Sequence, residues 1–199
     1  MKVKIKKEGK VETFKLINSW ADVTLSTWLK LIDYATGTKT EEAEATLAAL
    51  TDIPKQLVKE LSLSDVAVIM SKIGELQAKQ DTKLKRIITI NEVEYGFHPD
   101  LDSITLGEYA DIEQFIKNGI DSSLPELMSV LYRPIKLKKN DIYIIDAYDG
   151  DIRLRAEEMK QMSAEQVQSA LVFFYTLGKV LSEIMPSYLM ERLQEMKTQ

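Results

Sequence analysis

The chain has 199 residues, 45% hydrophobic and 29% charged, with a formal net charge of −5 and a pI near 5.1. A chain of this length buries roughly 70% of its unfolded surface, so a core forms without covalent staples. The acidic balance argues against nucleic acid as the main partner, since such binders present a basic domain. The absence of cysteine excludes a disulfide framework, a thiolate nucleophile and a Cys-based zinc site, and fits an intracellular origin.

Alternating runs at Val3/Ile5 and Phe14/Leu16 flank Lys7-Glu-Gly-Lys10 and predict a first β-hairpin, with Val11 out of phase. Thr24 then caps a helix whose apolar positions Leu25, Trp28, Leu29, Ile32 and Ala35 follow helical spacing, stopped by Gly37. A second helix is expected over Glu41–Leu50, and a short third one behind Pro54, which suits a first helical turn. Ser62-Leu-Ser-Asp65 resembles a capping box and opens a longer helix to about Lys79, with Val66, Ile69, Met70, Ile73 and Leu76 as its buried stripe.

The polar break Gln80–Lys85 is the best internal boundary. It divides an N-terminal unit, 1–80, from a second unit, 81–199, unless the two form one continuous domain. Ile87, Ile88, Ile90, Val93, Tyr95 and Phe97 predict a second hairpin, over about 86–97, turning at Asn91-Glu92. Thr105-Leu-Gly-Glu108 is another capping box, followed by a helix that stops at Gly119. Leu124–Tyr132 reads as a helix closed by Arg133-Pro134, because the residue before proline avoids helical geometry. Asp141–Ile145 reads as a short strand and Asp151–Met159 as a helical turn or two. Ser163-Ala-Glu-Gln166 opens the most apolar helix, about 164–185, before Pro186 and a charged C-terminal helix. The expected fold class is α+β: mostly helical, with two small hairpins and a central apolar helix.

The opening segment has the charge of a secretory leader but lacks its apolar centre. The longest mostly apolar stretch, Ala170–Gly178, falls short of the ~20 residues that span a bilayer. Neither a leader nor membrane insertion is expected. Charge is blocky. Lys2, Lys4, Lys6 and Lys7 crowd the N-terminus, and Arg133, Lys136, Lys138 and Lys139 form a second basic group. Glu92, Glu94, Asp100, Asp102, Glu108, Asp111 and Glu113 lie in a stretch without Lys or Arg. Such blocks are either solvated faces or complementary surfaces, between copies or with a partner. An interface of that kind needs an aromatic centre, for which Trp20, Trp28 and Tyr132 are candidates.

The motifs of chemistry fail on inspection. No glycine falls in a phosphate-binding GxGxxG or GxxxxGK[ST] loop, and no GxSxG elbow occurs. His98 is the only histidine, a possible base without a recognisable nucleophile. His98-Pro-Asp100 copies the tripeptide of chaperone J-domains but follows a strand and lacks their flanking helices; a turn explains it. Asp146–Asp151 resembles a calcium loop, yet Gly150 at the sixth position puts Ile145, Ala147 and Ala156 where oxygen ligands belong, leaving an Asp-Gly turn. Carboxylate pairs such as Glu157-Glu158 stand near no nucleophile or oxyanion donor. Catalytic, cofactor and metal sites are therefore not expected.

Three segments together carry a resemblance: Glu94–Glu113, Met128–Ile135 and Ala170–Gly178. They resemble structural and tail-assembly proteins of tailed bacteriophages, particularly phages of Bacteroidetes-type hosts, over roughly residues 85–180. These segments are fold determinants rather than site motifs, so the resemblance carries over no functional residue. It implies a non-enzymatic virion component, present in several copies in the portal, neck or tail region, that meets other phage structural proteins and copies of itself and is assembled in the host cytoplasm. The alternative it implies is a tail assembly chaperone that holds an extended partner such as a tape-measure protein.

Overall fold

The computed structural model describes residues 1–7, 10–35, 37–78 and 83–173. The class is α+β, with two antiparallel sheets among the described residues. The first hairpin joins β1 (Lys2–Lys7) to β2 (Lys10–Lys15), with Val3 opposite Phe14 and Lys6 opposite Val11. Val3 and Ile5 are buried, and Val11, the residue out of phase, is 60% exposed. Backbone bonds from Ile17 to Leu50 and from Asp52 to Lys15 tie the hairpin to the helices that follow. These are α1 (Leu25–Tyr34), α2 (Lys39–Leu50), α3 (Lys55–Val58) and α4 (Leu63–Ala78).

Caps decide where these helices begin. Thr24 Oγ1 accepts the Thr27 N–H at 3.2 Å, and Ser62 Oγ accepts the Asp65 N–H at 3.1 Å. α2 starts two residues earlier than its alanine-rich stretch suggests, because Thr38 and Glu41 form a capping box. Ile69 and Ile73 of α4, Leu47 and Leu50 of α2, and Val3, Ile5 and Leu16 share one apolar cluster.

The second sheet differs from a simple hairpin. β3 (Ile87–Ile90) and β4 (Val93–Phe97) pair as expected around Asn91 and Glu92, both at positive φ (48° and 68°), the geometry of a type I′ turn. After α5 (Leu106–Asn118) comes α6 (Leu124–Leu131), and Tyr132 leads without a loop into β5 (Tyr132–Lys139). Arg133-Pro134, expected only to close the helix, thus lies within a strand. The extended geometry that proline imposes on its predecessor serves a strand as well as a helix stop. Pro134 sits where β5 passes from pairing with β4 to pairing with β6 (Ile142–Ile145). Its C=O accepts the Asp146 N–H at 2.9 Å, so the donor it lacks would point past the last paired residue of β6. The strand order is β3-β4-β5-β6.

α7 (Arg153–Met159) follows, and residues 164–173 form α8, whose start is capped by Ser163 Oγ accepting the Gln166 N–H at 3.2 Å. The predicted stretch to 185 and the C-terminal helix fall outside the described residues, as do residues 79–82 at the proposed domain boundary. Within α8, Ala164 packs into the N-terminal cluster, while Val167 and Ala170 pack into a second cluster with Phe97, Tyr132, Met128 and Leu131. Residues 23–25 and 162–164 form a short backbone seam: Leu25 N–H to Met162 C=O and Ala164 N–H to Val23 C=O, each 2.7 Å. Trp28 packs against both clusters.

Gly96 makes the sheet possible. A Cβ there would lie 2.4 Å from the Tyr143 ring and 2.9 Å from Ile145 Cγ2. Tyr143 therefore lies across the β4 backbone, and its hydroxyl donates to the Phe97 C=O at 2.7 Å. Gly96→Ala is expected to cost about 1–3 kcal/mol through overpacking. Gly74→Ala in α4, where a Cβ meets nothing within 4 Å, should instead stabilise by about 0.5–1 kcal/mol. Urea unfolding of the two variants beside the parent checks both signs.

Candidate functional site

Three titratable side chains from separate parts of the sequence meet beside the second cluster. Glu108 comes from the first turn of α5, Arg133 from β5 and His98 from the residue after β4. Their side chains are 2%, 5% and 8% exposed. Glu108 holds them together by dividing its two oxygens. Oε2 accepts the Thr105 N–H at 2.7 Å and the Thr105 hydroxyl at 2.6 Å, completing the capping box. Oε1 faces Arg133 Nη2 at 2.7 Å and His98 Nε2 at 3.5 Å. The Arg133 guanidinium also stands 5.8 Å over the Tyr148 ring, and the Tyr148 hydroxyl donates to Asp111 of α5. Next to the group, Arg155 donates from Nε to the Ser129 C=O at 2.9 Å.

Burial sets the charge states. It pushes the Glu108 carboxyl up, but the two Thr105 hydrogen bonds, then Arg133 and His98, outweigh it and hold the group below its ordinary range. Burial lowers His98 most; Glu108 pulls it back up, Arg133 pushes it down again and Asp100 raises it slightly, and the imidazole is held below its usual 6.5. The ring is therefore neutral at pH 7, and the charges that remain are one carboxylate and one guanidinium. Arg133 Nε has no hydrogen-bond partner. Burial raises Tyr148 and its bond to Asp111 raises it further, so it stays a donor.

The expected interaction residues divide between buried and exposed positions. Arg133 is not a surface cation: it is spent inside the chain on Glu108. Tyr132 is fully buried, its ring 5.1 Å from Phe97 in an edge-to-face contact and its hydroxyl donating to the Lys85 C=O at 2.8 Å. Trp20 is 8% exposed and packs in the N-terminal cluster, so neither aromatic can be an interface centre. Trp28 is half-buried against both clusters. Lys138 pairs with Glu94 at 2.6 Å across β4 and β5, so two stretches segregated in sequence meet within one molecule. Lys2, Lys4, Lys136, Lys139, Glu92 and Asp100 are exposed. The side chains of Lys6, Lys7 and Asp102 fall outside the described residues.

Sequence reasoning took Glu108 for a cap and for one of an acidic stretch, and the 25-residue separation from Arg133 hid their pairing inside the chain. The same holds for the apolar surface. Leu137, Ile142 and Ile144 on the β5–β6 hairpin are 64%, 79% and 56% exposed, and Leu106 and Tyr109 of α5 are 84% and 54% exposed. An open groove of about 500 Å³ runs between α1, α2 and α3, lined by Ala45, Ala48 and Ala49 and by charges of both signs. In the Asp146–Asp151 segment, Gly150 adopts φ +78° and Asp149 Oδ1 accepts the Asp151 N–H at 3.1 Å, the geometry of a turn. Among the described residues, no group of three His, Asp or Glu side chains is placed to hold a metal ion, and no helix is long and apolar enough to cross a membrane. No protein-family model matches the chain, and neither a curated protein nor a solved structure matches it.

Two outcomes follow for this cluster. Glu108→Ala removes the carboxylate half of the capping box and leaves Arg133 buried without a counter-charge, and is expected to cost about 3–5 kcal/mol, read by urea unfolding. His98 has a folded pKa below its unfolded value, so its contribution is complete above about pH 6.5 and is lost as pH falls toward the folded pKa. The melting temperature of the parent should drop between about pH 7 and pH 5, and His98→Gln should flatten part of that drop. Identical slopes would mean that His98 does not titrate on unfolding.

Proposed function

We propose that this chain is a non-enzymatic component of a tailed-bacteriophage particle, present in several copies in the portal, neck or tail region. The observation that carries the reading is the set of large apolar side chains left on the outside of α5 and of the β5–β6 hairpin. These are Leu106 and Tyr109 on α5 and Leu137, Ile142 and Ile144 on the β5–β6 hairpin. Grouped apolar surface of this kind marks contact with another macromolecule. The resemblance of Glu94–Glu113, Met128–Ile135 and Ala170–Gly178 to phage structural proteins supports the same reading. The polar groups of the buried cluster are turned on one another: Glu108 toward Thr105, Arg133 and His98. They serve the fold in this reading.

A second reading has its own support. The groove between α1, α2 and α3 is lined by Ala45, Ala48 and Ala49 and by charges of both signs, Lys30, Lys55 and Lys59 with Glu41 and Glu44. Such a groove suits a tail assembly chaperone holding an extended or helical segment of a partner such as a tape-measure protein, and then releasing it.

Mass spectrometry of purified particles of the encoding phage separates the two. The virion reading expects the chain in mature particles at a fixed copy number. Absence from mature particles, with co-purification from lysates on a tail protein, would replace it with the chaperone reading.

A further inference from the structure

β6 is the outer strand of its sheet, with no strand beyond it among the described residues. Its sequence, Ile142-Tyr-Ile-Ile145, contains none of the lysines or prolines that usually protect an edge from pairing with another chain. Register places Leu137 directly opposite Ile144 and Lys139 opposite Ile142, and residues opposite one another share a face. Leu137, Ile142 and Ile144 therefore form one apolar patch on the outer face of the ribbon, beside the free edge, and all three are more than half exposed. Tyr143, on the other face, is covered and lies over Gly96. An edge strand without lysine or proline and an apolar face that continues it meet on the β5–β6 ribbon.

We propose that β6 pairs antiparallel with β6 of a second copy of this chain, about a two-fold axis at Tyr143. The charges flanking the strand select this arrangement. A parallel pair in register would set Asp141 beside Asp141 and Asp146 beside Asp146 of the second copy, and like charges directly opposite are destabilising. An antiparallel pair centred on Ile144 would put Asp146 into the apolar row opposite Ile142. Centred on Tyr143, Ile142 faces Ile144 of the second copy, and Asp141 faces Ile145. Each outer row then runs Lys139, Ile142, then Ile144 and Leu137 of the second copy, with a lysine only at its solvent end. No like charges meet across the new contact. The two sheets join into one of eight strands, and the same patch is used on both copies, as a two-fold requires. One short strand per copy buries less than the ~1,200–2,000 Å² of a standard interface, so the dimer is weak in dilute solution and strengthens where copies are held together.

The inference rests on reading the hairpin face as an assembly surface, and it names the partner. Because the chain has no cysteine, Ile142→Cys and Ile144→Cys can be introduced singly, at exposed positions that leave the core intact. Mixed under oxidising conditions, the two variants are expected to form the 142–144 hetero-disulfide roughly ten-fold faster than either forms a homo-disulfide. Directly opposite residues come within disulfide reach, whereas the like-numbered ones sit on a diagonal of ~7–8 Å. Sedimentation of the otherwise native chain should show concentration-dependent dimer that Ile144→Lys weakens at least roughly ten-fold, while Leu63→Lys, at an 88% exposed leucine on α4, leaves it unchanged. Hetero-disulfide formation no faster than homo-disulfide formation overturns the pairing, as does a dimer equally sensitive to Ile144→Lys and Leu63→Lys. A chain that fails these tests yet is found in particles sinks the strand pairing alone, and one that passes them yet is missing from particles sinks only the virion reading.

Discussion

The carboxylate of Glu108 holds two structures in place at once. One oxygen closes the first turn of α5 through Thr105, and the other neutralises a guanidinium delivered by the strand that follows α6. Neither role is replaceable by an apolar side chain, because Thr105 has a donor to satisfy and Arg133 has a charge to balance in a buried setting. A buried ion pair adds little net stability over a well-packed apolar alternative. Its consequence here is geometric: α5 can begin only where β5 presents Arg133, and β5 can lie only where α5 presents Glu108. His98, the residue after β4, completes the arrangement with a neutral ring, and its backbone N–H donates to the Leu131 C=O at 2.7 Å.

Around that fixed point the sheet is organised by aromatic residues used in different ways. Tyr132 and Phe97 pack edge-to-face, and Phe173 of α8 meets Phe97 at 5.3 Å in the same geometry, so the helix is seated directly on the strands. Tyr143 crosses the other side of β4 through the space that Gly96 leaves open, and its hydroxyl lies 3.2 Å from the Arg86 C=O, near the start of β3. Lys85 pairs with Glu165 of α8 at 3.0 Å, closing the circle from β3 back to the helix. The seam between residues 23–25 and 162–164 then joins this assembly to the N-terminal hairpin and helices.

Charge segregation along the chain has a simple resolution in the fold. The acidic stretch supplies β4 and α5 and the basic one supplies β5; antiparallel pairing of β4 and β5 brings Glu94 to Lys138, and the packing of α5 brings Glu108 to Arg133. What folding leaves exposed instead is apolar, on the β5–β6 ribbon and the outer side of α5. Opposite charges separated in sequence were equally compatible with pairing between molecules and within one. The direction of β5 decides for Arg133 and Lys138.

Local chemistry made the helices legible. Thr24, Ser62, Thr105 and Ser163 each cap the helix their sequence announces, because a cap is satisfied within three residues and needs nothing from the rest of the chain. The two hairpins, the α+β class and the buried stripe of Ile69 and Ile73 were legible for a similar reason, since periodicity is a property of neighbouring residues. Thr38 was missed as the start of α2 although its capping box was present in the sequence. What sequence alone could not give is every relation across distance. Whether Arg133-Pro134 ends a helix or enters a strand depends on whether β4 lies beside it. Whether Tyr132 and Trp20 face solvent or core depends on what packs over them, and whether Glu108 is a cap or also a counter-ion depends on a residue 25 positions away. These were decided by tertiary contact, because burial and charge pairing are set by which surfaces meet, and no local pattern encodes the meeting.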